Sequence, residues 1–327
     1  MKCKNIFLKL IILLLFIIPL NTLAYSKYII ASGKTIGIEV NSKGILVVGF
    51  YKINNEYIAK NAGFEIGDSI IKINNTEVNN ISSMIDIINK DDSNKTNFTI
   101  KRNNKIKNIN LNLVGDDSGV LKTGLYVKDQ INGIGTLTYI DPNTKIFGAL
   151  GHEILEQTTA KKFEIKDGKI FSANVSNITK SRSGDAGEKN ADYTKDKVDG
   201  NIKDNDITGI YGTYTNNIKG LNLIEVGNNN EVKEGKAIIK TVIDDNKVKD
   251  FNINIIGIDS NSKTKNILFE ITDKKLLDKT GGVVQGMSGS PIIQNNKIIG
   301  AVNYVIVNDT TKGYGIFITT MLKEGEK

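Results

Sequence analysis

The sequence predicts a mainly β protein, with a small α/β unit followed by a strand-rich domain. Three observations carry this reading. Residues 28–114 alternate strand runs with one helical face. Beyond residue 119 helical periodicity nearly vanishes, and short apolar runs recur between polar turns, as in a sandwich or barrel. The 327 residues give room for about two domains.

The elements follow in order. Thr35 to Val40 is a short strand candidate, and Gly44 to Phe50 is a buried-strand run after the turn at Asn41 to Lys43. Tyr57 to Ala62 predicts a short helix ended by Gly63, and Ser69 to Asn74 a strand after the Gly67-Asp68 turn. Asn80 to Asn89 carries Ile81, Met84, Ile85 and Ile88 at helical spacing. Strands at 97–101 and 106–114 flank the turn at Asn103-Asn104. Asp116 to Gly119 is the expected domain boundary. Ten strand-like runs then lie between Gly124 and Ile318: 124–127, 135–140, 145–150, 207–214, 237–242, 251–258, 267–271, 290–293, 297–305 and 313–318. Residues 180–206, charged and poor in apolar side chains, read as an exposed loop.

Composition excludes several classes. The net charge of +7 comes almost wholly from lysine, with Arg102 and Arg182 the only arginines and tryptophan absent. Base readout relies on bidentate arginine, so no nucleic-acid partner is expected and the lysines read as a solvated surface. One cysteine, Cys3, and one histidine, His152, allow neither an intrachain disulfide nor a multi-cysteine or multi-histidine metal site, and no cofactor is implied. Lys2, Lys4 and Lys9 precede the apolar run Leu10 to Leu20, and Thr22-Leu23-Ala24 follows at cleavage-like spacing. Residues 1–24 therefore read as a signal peptide or membrane anchor, with the remainder exported.

Two motifs carry chemistry. Gln285-Gly-Met-Ser-Gly-Ser-Pro291 is a small-residue turn between apolar pairs. Such a turn exposes a hydroxyl and aims backbone N–H groups into one pocket. Ser288 is then a nucleophile, the N–H groups of Gly286 and Ser288 form an oxyanion hole, and Gly289 admits a substrate chain. A serine nucleophile needs a base, and His152 in Phe147-Gly-Ala-Leu-Gly-His152-Glu is the single imidazole available. Histidine first and serine 136 residues later is the chymotrypsin-like order.

These residues resemble a known family, the stage IV sporulation protein B peptidases, on Gly148-Ala-Leu-Gly-His-Glu153, Thr280 to Pro291 and Asn308 to Ile316. The resemblance implies a chymotrypsin-like β-barrel serine peptidase at 115–327. Its activity would be that of a forespore-exported endopeptidase that cleaves itself and a membrane-bound regulator of an intramembrane protease, activating a late sigma factor. It also points to Asp273 as the third catalytic residue. Asp204 and Asp206, midway between histidine and serine, are competitors, and Asp273 is equally placed to cap a helical turn at Lys274 to Leu277. Residues 28–114 resemble a PDZ domain on Ala62-Gly-Phe-Glu-Ile-Gly-Asp-Ser-Ile70. Ile36-Gly37-Ile38 resembles that family's apolar-Gly-apolar loop, implying a groove for an extended peptide or a chain terminus. The competing reading is a non-catalytic PDZ scaffold, which the presence of both His152 and Ser288 opposes.

Overall fold

The computed structural model describes residues 25–90, 95–115 and 119–327. The signal-like segment with Cys3, and Asp116 to Ser118 of the expected boundary, lie outside them. Among the described residues no helix is long and apolar enough to cross a membrane, and no cluster of metal-ligating side chains occurs.

Strands β1 (Tyr28–Ala31) and β2 (Thr35–Phe50) open the fold. The α/β unit follows with α1 (Ile58–Asn61), β3 (Ser69–Ile73), β4 (Thr76–Glu77), α2 (Ile81–Lys90), β5 (Lys95–Arg102) and β6 (Lys105–Asn112). Its core gathers Ile45, Val47, Phe64, Met84, Phe98 and Ile100. Helix α2 starts where two orphan amides find acceptors: Asp129 Oδ2 takes Ile81 N–H at 2.7 Å and Asn80 Oδ1 takes Ser83 N–H at 2.8 Å. Its buried face is Met84 and Ile88, while Ile85, expected on the same face, is exposed. A small pair, β7 (Val114–Gly115) and β8 (Leu121–Lys122), leads onward.

Next come β9 (Leu125–Ile140), β10 (Ile146–Ala149), the hairpin β11 (Leu155–Glu156) with β12 (Lys161–Lys162), then β13 (Ile165–Thr179), β14 (Glu188–Asp206) and β15 (Gly209–Tyr214). Pairings β2–β9–β10–β15–β14–β13 return to β2, closing a six-stranded antiparallel ring around Ile36, Ile38, Leu137, Phe147 and Ile170. After β16 (Ile224–Val226) the chain adds β17 (Gly235–Val242), β18 (Val248–Ile258), β19 (Ile267–Ile271), α3 (Lys274–Thr280), β20 (Pro291–Gln294), β21 (Lys297–Val305), β22 (Lys312–Phe317) and α4 (Ile318–Gly325). Pairings β17–β18–β19–β22–β21–β20 return to β17 and close a second ring around Ile239, Phe251, Phe269, Met287 and Val302. Closure removes the exposed edges that open sheets leave.

Three expectations are refined or corrected. The stretch 28–41, expected within the α/β unit, pairs with the first ring, because β1 and the first half of β2 run alongside β9. Ile30 pairs with Ile140, and Thr35 to Asn41 pair with 130–136 of β9. The α/β unit is thus inserted within a barrel hairpin. Ile36-Gly37-Ile38 is consequently not a peptide-binding edge. Ile36 and Ile38 are buried, and this stretch is hydrogen-bonded to β9 on one side and β13 on the other. Gly37 is glycine because a side chain there would run into the Tyr193 ring, itself stacked on Phe171. Finally, most of 180–206 is the long strand β14, not a loop. Its polar composition misled because it is the outer part of a two-stranded ribbon with β13, half of it facing water.

Candidate active site

The Gln285–Pro291 turn, which carries the expected nucleophile Ser288, sits between α3 and β20, and its geometry comes from its neighbours. Thr136 and Thr138, fully buried on β9, donate side-chain hydrogen bonds of 2.7 Å to the carbonyls of Gly286 and Gly289. Thr136 N–H also donates to the Ser288 carbonyl at 3.0 Å. The first ring thereby holds the turn that the second ring carries. Gly289 (φ 92°) is required by packing: a Cβ there would strike the Thr136 carbonyl and the Leu150 backbone. It is buried against protein, so the expected substrate approach over Gly289 does not occur. Met287, Gly289 and Ser290 spend their N–H groups on Val284, Val302 and Met287 carbonyls. Those of Gly286 and Ser288 have no partner among the described residues, which leaves two adjacent donors for an oxyanion.

His152 follows β10 through Leu150, a bulky residue held at φ 69°, and Gly151 at φ 74°. L side chains avoid that conformation, and here it swings the chain out of the sheet. His152 Nδ1–H donates to the Glu153 carbonyl at 2.9 Å, which fixes the tautomer and leaves Nε2 as the basic nitrogen. Burial lowers the His152 pKa, outweighing the opposing pull of the Glu153 carbonyl and carboxylate. The imidazole is therefore neutral near pH 7 and competent as a base. Tyr304 stacks on the ring at 5.4 Å, and Lys265 Nζ lies 5.3 Å from the Tyr304 ring centre.

Ser288 and His152 line one cleft of about 400 Å³ where the two rings meet. No hydrogen bond joins them. Ser288 Oγ–H instead donates to the Asn303 carbonyl at 3.0 Å, so attack requires a rotation of the serine side chain. Such looseness is common before substrate binds.

The third catalytic position is not met by the expected acids. Asp273 caps α3: its Oδ1 accepts Leu276 N–H at 3.1 Å and its Oδ2 accepts Asn252 N–H at 3.3 Å. It is absent from the cleft lining. Asp204 bonds the adjacent Asn205 N–H, and Asp206 bonds Thr208. Between them the fully buried Asn205 accepts Ile154 N–H at 2.8 Å and donates to the carbonyls of Ile154 and Phe163. The β14 segment thus supplies an amide that pins the loop after His152. Asn205, Thr136, Thr138 and Tyr304 escaped the sequence reading, since polar residues inside strand runs carry no local signal of what they face.

Residues 119–322 match the family SpoIVB peptidase S55. The chain belongs to that family. Residues 35–113 of this S55 peptidase match the PDZ domain family. It is a serine peptidase of mainly β class carrying a PDZ domain, in agreement with the expected catalytic class and fold. Among solved structures it is similar to the inactive form of the Rv3671c protease, at 13% identity over 58% of this chain and 81% of that one, with a TM-score of 0.33. The active form of the M. tuberculosis Rv3671c protease matches at 14% identity over 57% of this chain and 70% of that one, TM-score 0.30. The PDZ domain of the SdrC-like protein Lmo2051 from Listeria monocytogenes matches at 19% identity over 27% of this chain and 90% of that one, TM-score 0.23. No curated protein matches the chain.

Proposed function

We propose that this S55 peptidase is an exported endopeptidase of a sporulating cell. It cleaves itself near its N-terminus and then a membrane-bound regulator that restrains an intramembrane protease, so activating a late sigma factor. Family membership and the lysine-led apolar segment at Leu10 to Leu20 support this reading. The observation that carries its chemistry is the shared cleft of Ser288 and His152 beside two unspent amides. Ser288 Oγ bonds to the scissile carbonyl carbon while His152 Nε2 takes its proton. The carbonyl oxygen becomes an oxyanion on the Gly286 and Ser288 N–H groups. As the C–N bond breaks, the proton passes from His152 to the leaving amine, and water repeats the sequence to release the acid.

The test is disappearance of purified full-length chain and release of N-terminal fragments. Ser288→Ala and His152→Ala each abolish this, and the double variant is scarcely worse, because residues acting as one unit are non-additive. Undiminished fragment release by Ser288→Ala would sink the reading, and a wild-type chain that stays intact would favour a scaffold role.

A further inference from the structure

The cleft is more apolar than the reaction requires. Val283 and Val284, just upstream of the nucleophile turn, are 3% and 1% exposed and form one wall. Val305 at the end of β21, Ile134 of β9, and Leu150 continue it. Among the described residues no lysine or arginine lines the cleft, although the chain carries 43 basic residues. Its one acidic side chain is Glu153, on the His152 side. A carboxylate entering beside Ser288 would leave water for aliphatic walls and meet Glu153, while an apolar side chain would exchange water for those walls at a gain.

We propose that this cleft is the primary specificity pocket, and that it selects an apolar side chain on the residue that donates the scissile carbonyl. This rests on the serine-peptidase reading of Ser288. The substrate class that follows is an extended segment with an aliphatic residue at the cut. Val305 is a half-buried wall residue at a strand end.

The experiment uses the full chain and two independent readouts. A fluorophosphonate probe reports whether Ser288 is an active nucleophile. A set of peptides differing at one residue, cleaved and read by mass spectrometry, reports preference. An apolar residue at the cut is expected to give kcat/KM roughly 10- to 200-fold above aspartate, lysine or glycine. Val305→Asp, checked for folding by circular dichroism, is expected to move the preference toward lysine and arginine. Val284→Ala is the second variant, expected to lower kcat/KM for the apolar peptide about tenfold while probe labelling persists. Labelling with a flat or charge-seeking profile overturns the pocket assignment alone. Absence of labelling overturns the nucleophile and the pocket together.

Discussion

His152 is the single imidazole of the chain, and its surroundings set the pH behaviour of the site. Burial lowers its pKa, so the neutral base persists below the ordinary value of about 6.5. The acid limb of kcat/KM is therefore expected below pH 6.5, measured on a peptide with no titrating groups in that range. A limb above 6.5 would contradict the buried, carbonyl-oriented imidazole. Asp273→Asn separates two roles for that aspartate. As the α3 cap seen here, its replacement by asparagine keeps the bond from Leu276 N–H and loses only the long one from Asn252 N–H, a change to stability and not to the cleft. As an orienting carboxylate, its loss would cost roughly 10⁴-fold in kcat. The geometry predicts near-normal activity, and Asp273→Ala should lose about 0.5–2 kcal/mol of stability by chemical denaturation.

At the scale of elements, β14 brings a buried lysine against the nucleophile turn. Lys189 N–H donates to the Gln285 carbonyl at 2.9 Å, and among the described residues its side-chain nitrogen hydrogen-bonds Thr241 Oγ1 alone, at 2.8 Å. Burial drops its pKa from 10.5 to about 7. Between those values the unfolded chain holds a proton that the folded chain has released. Stability consequently rises with pH across that window and is lowest at and below pH 7. Lys189→Met should stabilise the protein at pH 7 by roughly 1–3 kcal/mol, the desolvation cost less the unpaired Thr241 hydroxyl. A lower melting temperature at pH 7 than wild type would refute this. The β11–β12 hairpin has the same slope at lower pH, because there the folded state favours the charged form of a carboxylate. Burial would raise the Glu156 pKa, but hydrogen bonds from Lys128, Thr159 and Thr158 hold it at about 2. The Glu156–Lys128 pair, 3.0 Å apart, is present above the ordinary carboxylate range and lost as pH falls through 4.5 toward 2. The protection of amides 155–162 relative to their intrinsic exchange rates should fall over that interval, read by hydrogen exchange.

For the whole molecule, the PDZ domain is an insertion between strands that already pair. Asn41 lies opposite Gln130, and Ser42 Oγ donates to the Asp129 carbonyl at 3.2 Å. Replacing residues 43–128 by a two-residue Asn-Gly turn joining Ser42 to Asp129 should leave both rings folded, since that turn suits an antiparallel hairpin. Deleting 28–114 should not, because it removes β1 and a strand of the first ring. Thermal melts and fluorophosphonate labelling of both variants check this. The first half of β9 also pairs with β2 at 125–128, beside α2, so the chain fills its own strand edge in the PDZ unit. β9 then continues to Thr136 and Thr138 on the nucleophile turn, which makes one strand the physical link between the PDZ unit and Ser288.

The sequence by itself determined the mainly β class, most strand positions, the PDZ-like unit and the family, and it singled out His152 and Ser288, which share one cleft. These are legible because apolar periodicity, turn residues and the Gly-Met-Ser-Gly-Ser-Pro turn are local signals. Only the tertiary structure decided that 28–42 belongs to the first ring, that Ile36-Gly37-Ile38 is interior strand, and that 188–206 is sheet. It also decided that Asp273 caps a helix while a carbonyl orients His152. Each of these depends on which residues far away in the chain complete a hydrogen-bonding edge or lie against a side chain, and no local pattern records that partner.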